Sequence, residues 1–134
     1  MKPSIWYKYM FNIGLNQTTA VQRLTYAAFQ KGTSGEIKEA MEIFEKAMRE
    51  VIAAANAEGI DLNESDIDST YKVIDTLSPD GLTSMYQDVL AGRKTEAEMF
   101  SPVLMGIAKK HGIATPVNEI LYLQLRIIEK QMGK

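Results

Sequence analysis

The chain has 134 residues, of which 46% are apolar and 24% charged, a composition that predicts a single globular domain. Its 15 basic and 17 acidic residues give a formal net charge of −2, which argues against a general electrostatic grip on nucleic acid. The absence of cysteine excludes disulfides, iron–sulfur clusters and thiolate zinc sites. No apolar run approaches the roughly 20 residues that span a bilayer. We therefore expect a cytoplasmic protein with no metal, membrane or nucleic-acid partner.

Helical periodicity dominates the sequence, and the alternating pattern of strands is nearly absent. Within residues 35–58, apolar side chains recur at steps of three and four, while charged side chains fill the opposite face. The pattern predicts an all-α, multihelical single domain of six or seven helices. In chain order, the helices are expected at about residues 4–30, 35–58, 63–76, 78–92, 95–112 and 115–133.

Capping residues and glycines set these predicted boundaries. The expected N-terminal signals are Ser34, Ser65, Ser78 before Pro79, Thr95 with Glu98 at capping-box spacing, and Thr115 before Pro116. The expected C-terminal glycines are Gly59, Gly92, Gly112 and Gly133.

The first predicted helix contains residues that favour a helix poorly. Gly14 costs about 1 kcal/mol relative to alanine, and Thr18 and Thr19 are mediocre helix formers. This weakness predicts either a break in the helix or a site where side-chain chemistry outweighs helix propensity.

Lys8, Asn12 and Asn16 recur at four-residue intervals in the same predicted helix. Each step of four turns a helix by about 40°, so the three side chains share a stripe about 80° wide and about 12 Å long. Their neighbours in sequence are largely apolar, and asparagine is a poor helix former. The spacing fits a polar groove and a solvated helix face equally well.

Residues 6–16 carry the pattern W-x-K-x-x-x-N-x-x-x-N, which resembles the opening of the C-terminal domain in the ketopantoate reductase (2-dehydropantoate 2-reductase) family. The resemblance continues in residues 83–88 (TSMYQD) and 92–96 (GRKTE). It ends at residues 111–118 (HGIATPVN), which are similar to the family's G-[IV]-x-[TV]-P element. These blocks keep the family's order and spacing and cover nearly the whole chain.

The resemblance implies a fold like the C-terminal domain of ketopantoate reductase, which is of the 6-phosphogluconate dehydrogenase C-terminal-like type. Residues 1–134 would be this substrate-binding and catalytic domain, and the N-terminal Rossmann domain that binds NADPH would be absent from the chain. The implied reaction is the NADPH-dependent reduction of 2-dehydropantoate to pantoate, on the route to pantothenate and coenzyme A. Because the family's active site lies between the two domains, the chain alone is expected to be inactive and to bind no cofactor.

The resemblance also implies roles for five side chains. Lys8 is the expected general acid, and Glu96 is the expected active-site carboxylate near the lysine and the cofactor. Asn12, Asn16 and Ser84 are expected to bind the oxygens of the substrate. A lysine suits its role because an ammonium group can stabilise the charge that grows on a ketone oxygen and then donate its proton. From the sequence alone, Glu96 equally fits the stabilisation of a helix N-terminus.

Besides the missing domain, the sequence departs from the family pattern at two places. Ser101-Pro102 stands where the family commonly carries small residues, and Pro102 is expected to kink its helix or to force a new start. Gly81 stands one turn before Ser84, where some members carry another polar side chain for the substrate. Both departures leave a related 2-oxo acid open as the substrate.

A stand-alone helical interaction or dimerisation module without catalytic activity is the alternative interpretation. A homodimer through apolar helix faces fits both interpretations, the reductase domain and the stand-alone module. The two differ in whether a Rossmann domain is encoded upstream or supplied by a separate subunit, because catalysis requires it.

Overall fold

The computed structural model describes residues 3–133, with side chains from Ile5 onward. Within that range there are six α-helices, one 3-10 helix and no strand, so the predicted all-α fold is confirmed. The elements are α1 (Pro3–Gln22), the 3-10 helix (Tyr26–Phe29), α2 (Lys38–Ala57), α3 (Glu64–Asp75), α4 (Ser84–Leu90), α5 (Ala97–Lys110) and α6 (Pro116–Gln131). None of the helices in this range is both long and apolar enough to cross a membrane.

Helix α1 is central, because it packs against α2, α4, α5 and α6. Its first half contributes Trp6, Met10 and Ile13 to the main core, where they are buried with Phe44 and Met48 of α2. Its second half ends in a separate small apolar cluster that joins α1, α4, α5 and α6. The buried members of this cluster are Ala20, Met85, Val89, Ala97 and Leu125.

Helix α1 runs without interruption through its three weak helix formers, so the break considered from the sequence does not occur. Gly14 is the point where α1 approaches α2, since a Cβ atom there would lie 3.0 Å from side-chain carbons of Phe44 and Met48. The hydroxyls of Thr18 and Thr19 donate to carbonyls one turn back, at 2.7 and 2.9 Å. Tertiary packing therefore overrides helix propensity at these positions.

Helix α1 ends at Gln22, so its predicted extension to residue 30 is wrong. Arg23 adopts a left-handed conformation with φ of 58°, and the N–H of Leu24 then donates to the carbonyl of Thr19 at 3.0 Å. This arrangement satisfies a carbonyl of the last turn and redirects the chain into the 3-10 helix.

The predicted helix start at Ser78 is also wrong. The segment 79–81 is held by the 3-10 helix instead, because its carbonyls accept from the N–H groups of Tyr26 (3.1 Å) and Ala27 (3.0 Å). Helix α4 begins only after Thr83, whose side chain accepts a hydrogen bond from the first turn. A long-range backbone contact thus decides where this helix starts.

Three other predicted N-caps are wrong, and the C-terminal glycines are confirmed. Helix α2 begins after Ile37 rather than Ser34, and α3 is capped by Asn63 in a capping box with Asp66 rather than by Ser65. Helix α5 begins after Glu96 rather than Thr95, although the Thr95 hydroxyl accepts from the N–H of Ala97 while it donates to Glu129. Positive φ angles of 70–82° occur, as expected for glycines that end helices, at Gly59, Gly92, Gly112 and Gly133.

Helix α6 begins as expected, with Pro116 as its first residue after Thr115. Helix α5 runs without interruption through Pro102, so the new start considered for this position is wrong. Pro102 is the sixth residue of α5 and is exposed. It therefore removes one helical hydrogen bond, and its ring displaces nothing in the core.

The approach of α1 to α2 can be tested with two glycine-to-alanine substitutions. Gly14→Ala should lower the free energy of unfolding by about 1 kcal/mol, because overpacking a core costs about 1–3 kcal/mol and exceeds the propensity gain of about 1 kcal/mol. Gly106→Ala is the matched control in α5, where a Cβ atom meets nothing within 4 Å. This control should stabilise the protein by about 1 kcal/mol. Urea unfolding of both variants measures the difference, and equal effects would contradict the close approach.

Candidate functional site

Lys8, Asn12 and Asn16 lie on one face of the continuous helix α1, and we call them the α1 polar stripe. Lys8 and Asn12 are exposed and Asn16 is partly exposed. Among the described residues, none forms a hydrogen bond or an ion pair with the side chains of these three, although the Asn16 backbone carbonyl accepts from the Thr19 hydroxyl. The stripe therefore presents an amine and two carboxamides to solvent, on a helix whose other faces are largely buried.

The C-terminal end of the α1 polar stripe is closed by the start of α4. Thr19 lies within about 20° of Lys8 around the helix, so it continues the stripe. Unlike the stripe, Thr19 is fully buried. Its hydroxyl lies 2.7 Å from that of Thr83 and 3.1 Å from the backbone carbonyl of Asn16. Ser84, the exposed first residue of α4, consequently stands beside the closed end of the stripe.

The small apolar cluster joins the chain segments that carry three of the five predicted site residues. Three cluster members adjoin a site residue in the chain: Ala20 is one turn beyond Asn16, Met85 follows Ser84, and Ala97 follows Glu96. Lys8 stands at the other end of the stripe, about 12 Å from Asn16 along the helix axis. Within the described part of the chain, no ion pair joins Lys8 to Glu96. The expected closeness of these two residues stays a prediction.

Glu96 occupies the N-cap position of α5, yet its exposed side chain makes no capping hydrogen bond. The turn that carries it is fixed by a buried carboxylate on α6. Glu129 is fully buried and accepts from the N–H of Thr95 at 2.7 Å, from the Thr95 hydroxyl at 2.8 Å and from Arg126 at 3.0 Å. Because Glu129 holds Thr95, the residue before Glu96, it fixes the backbone position of Glu96.

Ser101, which departs from the family pattern, packs on the side of α1 opposite the polar stripe. Ser101 is fully buried, and its hydroxyl donates to the side chain of Gln17 at 2.6 Å. Gln17 follows Lys8 by nine residues, which places it about 180° away around the helix. Gln17 also donates to Asn118 of α6 at 3.1 Å. This buried amide network joins α1, α5 and α6 and does not involve the side chains of the exposed stripe.

Tyr9 fixes α5 against the lysine end of α1. Its ring packs edge-on against Phe100, and its hydroxyl donates to the Phe100 carbonyl. Burial raises the pKa of Tyr9 to about 12, so the hydroxyl keeps its proton at physiological pH.

Gly81 lies in a turn before Thr83 and not within the helix that carries Ser84. A Cβ atom at Gly81 would lie 2.7 Å from the ring of Tyr26. The aromatic ring thus occupies the space that a polar side chain would need at this position.

Neither a dinucleotide site nor a metal centre is built from the described residues. Residues 3–133 contain no strand that leads through a glycine-rich turn into a helix, the arrangement that holds a dinucleotide pyrophosphate. Among the same residues, no group of three or more His, Asp or Glu side chains is placed to hold a metal ion.

Sequence reasoning missed the contacts that hold these segments in place, between Thr19 and Thr83 and between Thr95 and Glu129. One signal was present: Glu129 falls in the last turn of α6, where the helix dipole disfavours an acidic residue. The threonine contacts carried no signal, because each joins residues far apart in the chain.

Fold and site together define an all-helical domain with an exposed polar stripe on α1 and no dinucleotide-binding unit among its described residues. The model of the family described as the ketopantoate reductase PanE/ApbA C-terminal domain matches residues 1–129, and the chain belongs to this family. A 2-dehydropantoate 2-reductase from Vibrio cholerae is 30% identical over the whole chain. The chain covers 43% of that relative, so it spans less than half the length of the curated relatives it matches.

Solved structures show the same fold. A dimeric ketopantoate reductase from Staphylococcus aureus superposes with a TM-score of 0.82 and 26% identity, over 97% of this chain and 44% of that one. A D-mandelate dehydrogenase in ternary complex with NADH and anilino(oxo)acetate gives a TM-score of 0.85 at 24% identity, over 98% of this chain and 53% of that one. The predicted resemblance in fold is therefore confirmed.

The role of Glu129 can be tested by unfolding. Glu129→Ala should lower the free energy of unfolding by about 2–4 kcal/mol, because it leaves the N–H and the hydroxyl of buried Thr95 without their acceptor, while Arg126 keeps its ion pair with Glu98. Thr95→Val should cost about 2 kcal/mol, because the hydroxyl donates to the carboxylate of Glu129 and accepts from the N–H of Ala97.

Glu42→Ala is the control, since Glu42 forms only an exposed ion pair with Lys46 and should change stability by about 0.5 kcal/mol or less. If Glu129→Ala lowers the free energy of unfolding no more than this control does, the role of Glu129 in holding Thr95 is contradicted.

Proposed function

We propose that the chain is the substrate-binding and proton-donating part of an NADPH-dependent oxidoreductase. The proposed reaction reduces 2-dehydropantoate, or a related 2-oxo acid, to the corresponding alcohol, which for 2-dehydropantoate is pantoate, used for pantothenate and coenzyme A. The observation that carries the proposal is the α1 polar stripe, because its amine and carboxamides face solvent without partners among the described residues. The match to the ketopantoate reductase family supports the proposed reaction.

Lys8 is the proposed proton donor. Reduction of a ketone places negative charge on the oxygen, and an ammonium group beside that oxygen stabilises the charge and then donates its proton. Lys8 is suited to this role because no described carboxylate pairs with it and its side chain is exposed at the open end of the stripe.

Asn12, Asn16 and Ser84 are proposed to bind the carboxylate and hydroxyl oxygens of the substrate. Carboxamides and a hydroxyl can donate and accept hydrogen bonds without changing charge, which suits a substrate that carries both kinds of oxygen. Glu96 is proposed as the active-site carboxylate. It is available for this role because its side chain does not cap α5.

The nicotinamide cofactor would supply the hydride, and the described residues do not form a site for it. We therefore assign its binding to an N-terminal Rossmann domain, as in the proposed whole protein, with residues 1–134 as the C-terminal domain. Without that domain the chain is expected to be inactive. A second copy of the chain is a further proposed partner, since the S. aureus relative is dimeric.

Substrate binding can be tested on the chain itself by NMR. Titration with 2-dehydropantoate or pantoate should shift the side-chain amide signals of Asn12 and Asn16, with a Kd on the order of millimolar because the stripe is exposed and contacts the ligand from one side only. Asn63 is the matched control, since its side chain caps α3 and should not shift. If the ligand leaves the side-chain amide signals of Asn12 and Asn16 unchanged, the proposed binding role of the stripe is contradicted.

Catalysis can be tested by replacing the matching region of the V. cholerae reductase with residues 1–134 and following NADPH oxidation. With 2-dehydropantoate as substrate, Lys8→Ala should lower kcat by about 10²–10⁴-fold, the usual contribution of general acid catalysis. Lys72→Ala, at an exposed lysine of α3, is the control and should leave kcat unchanged. Full activity in Lys8→Ala would disprove the assignment of the proton donor. A panel of 2-oxo acids in the same assay identifies the preferred substrate.

A further inference from the structure

Two charged residues of α6 hold the turn that begins α5. Glu129 accepts from the N–H and the hydroxyl of Thr95, at 2.7 and 2.8 Å. Arg126 forms ion pairs with Glu98 at 2.8 Å and with Glu129 itself at 3.0 Å. Because Arg126 and Glu129 are three residues apart, they lie on one face of α6. We call these two residues the α6 clamp, and it contacts α5 and its preceding turn on both sides of residue 96.

Glu96 stands free between these anchored neighbours. Its side chain is exposed, and among the described residues it forms no hydrogen bond or ion pair. The next residue, Ala97, is fully buried in the small apolar cluster, and its N–H donates to the Thr95 hydroxyl at 3.3 Å. An unpartnered carboxylate therefore projects from a turn whose other residues are fixed by contacts.

Stability alone gives little reason to bury Glu129. Its side chain is fully buried, although a carboxylate is costly to remove from water and well-packed apolar residues are often at least as stabilising as a buried ion pair. Its Oε2 atom accepts both bonds from Thr95, and its Oε1 atom faces Arg126. An apolar side chain of the same size would fill the space without these directional bonds. What the buried carboxylate adds is therefore a defined geometry for the turn.

We propose that the α6 clamp is a positioning device for the proposed reaction, and that it holds the carboxylate of Glu96 in the orientation that catalysis requires. This inference rests on the proposed function, in which Glu96 is the active-site carboxylate. Glu129 and Arg126 touch neither substrate nor cofactor in it, so they act only through Glu96. A misplacement of about 1 Å in an active site can lower the rate by about 10²-fold, which gives a reason to hold this turn so firmly.

Kinetics of the V. cholerae chimera test the positioning role. Glu129→Met should lower kcat for 2-dehydropantoate by about tenfold or more, because methionine fills the space without accepting from Thr95. Glu129→Gln should keep kcat within about threefold of the unchanged chimera, since its carboxamide oxygen can still accept both bonds. Arg126→Met should also lower kcat. Its matched control is Arg49→Met on α2, because Arg49 likewise bridges two carboxylates, at 3.2 and 2.9 Å, and this variant should leave kcat unchanged.

A double substitution separates positioning from a merely structural role. If Glu129 acts through Glu96, then Glu129→Met should lower kcat by less than about twofold when Glu96→Gln is already present, because the two losses are not additive. Equal losses with and without Glu96→Gln, or full kcat in Glu129→Met, would overturn the role of the clamp and leave the proposed function intact. Full kcat in Glu96→Gln would instead disprove the proposed role of Glu96, and the role of the clamp with it.

Backbone relaxation by NMR tests the clamp in the chain itself, without any reaction. The amide of Glu96 should be rigid, with an order parameter of about 0.85, and this value should fall below about 0.6 in Glu129→Met. Arg49→Met should leave it unchanged. A low order parameter in the unsubstituted chain, or one that Glu129→Met does not alter, would overturn the proposal. Circular dichroism checks that each variant is folded, and Arg126→Met, which keeps Glu129, carries both tests if Glu129→Met does not fold.

Discussion

Helix α1 approaches α2 so closely at Gly14 that any side chain there would press against Phe44 and Met48, both fully buried. This contact fixes the rotation of α1 about its own axis. Gly14 follows Asn12 by two residues, about 200° around the helix, so seating Gly14 against α2 turns Asn12 toward solvent. The exposure of the α1 polar stripe is therefore a consequence of how the opposite face packs.

Buried polar contacts then fix the other helices relative to α1. Gln17 bonds to Ser101 of α5 and Asn118 of α6, and Thr19 contacts Thr83 before α4. Apolar contacts alone tolerate small rotations and slides between helices, whereas a buried hydrogen bond is lost by a shift of about 1 Å. Leaving these groups unpaired in the interior is costly, so the network specifies one arrangement of the helices. The relative placement of the predicted site residues on different helices therefore depends on these buried polar contacts.

Much of the fold could be predicted from local patterns, whereas several helix starts could not. Helical periodicity identified every α-helix, and the glycines at helix ends were correct because positive φ is a local property. The start of α4 was missed because residues 79–81 bond the distant 3-10 helix, and the cap of α3 was missed because Asn63 takes the place expected for Ser65. The stripe was predicted from spacing, since one helix carries it. The positions of Ser84 and Glu96 relative to it depend on contacts between segments, which spacing cannot show.

The polar stripe conflicts with what stability alone would favour. Two asparagines in the interior of a helix are worse helix formers than alanine by a few tenths of a kcal/mol each, and here they gain no hydrogen bond within the described chain. Elsewhere in the same helix, polar side chains such as Gln17 and Thr19 are bonded and buried. The exposed carboxamides can bond to water instead, and a ligand that replaces this water can take the same hydrogen bonds. The contrast between the two faces of α1 is thus compatible with the proposed substrate site on this side of the domain.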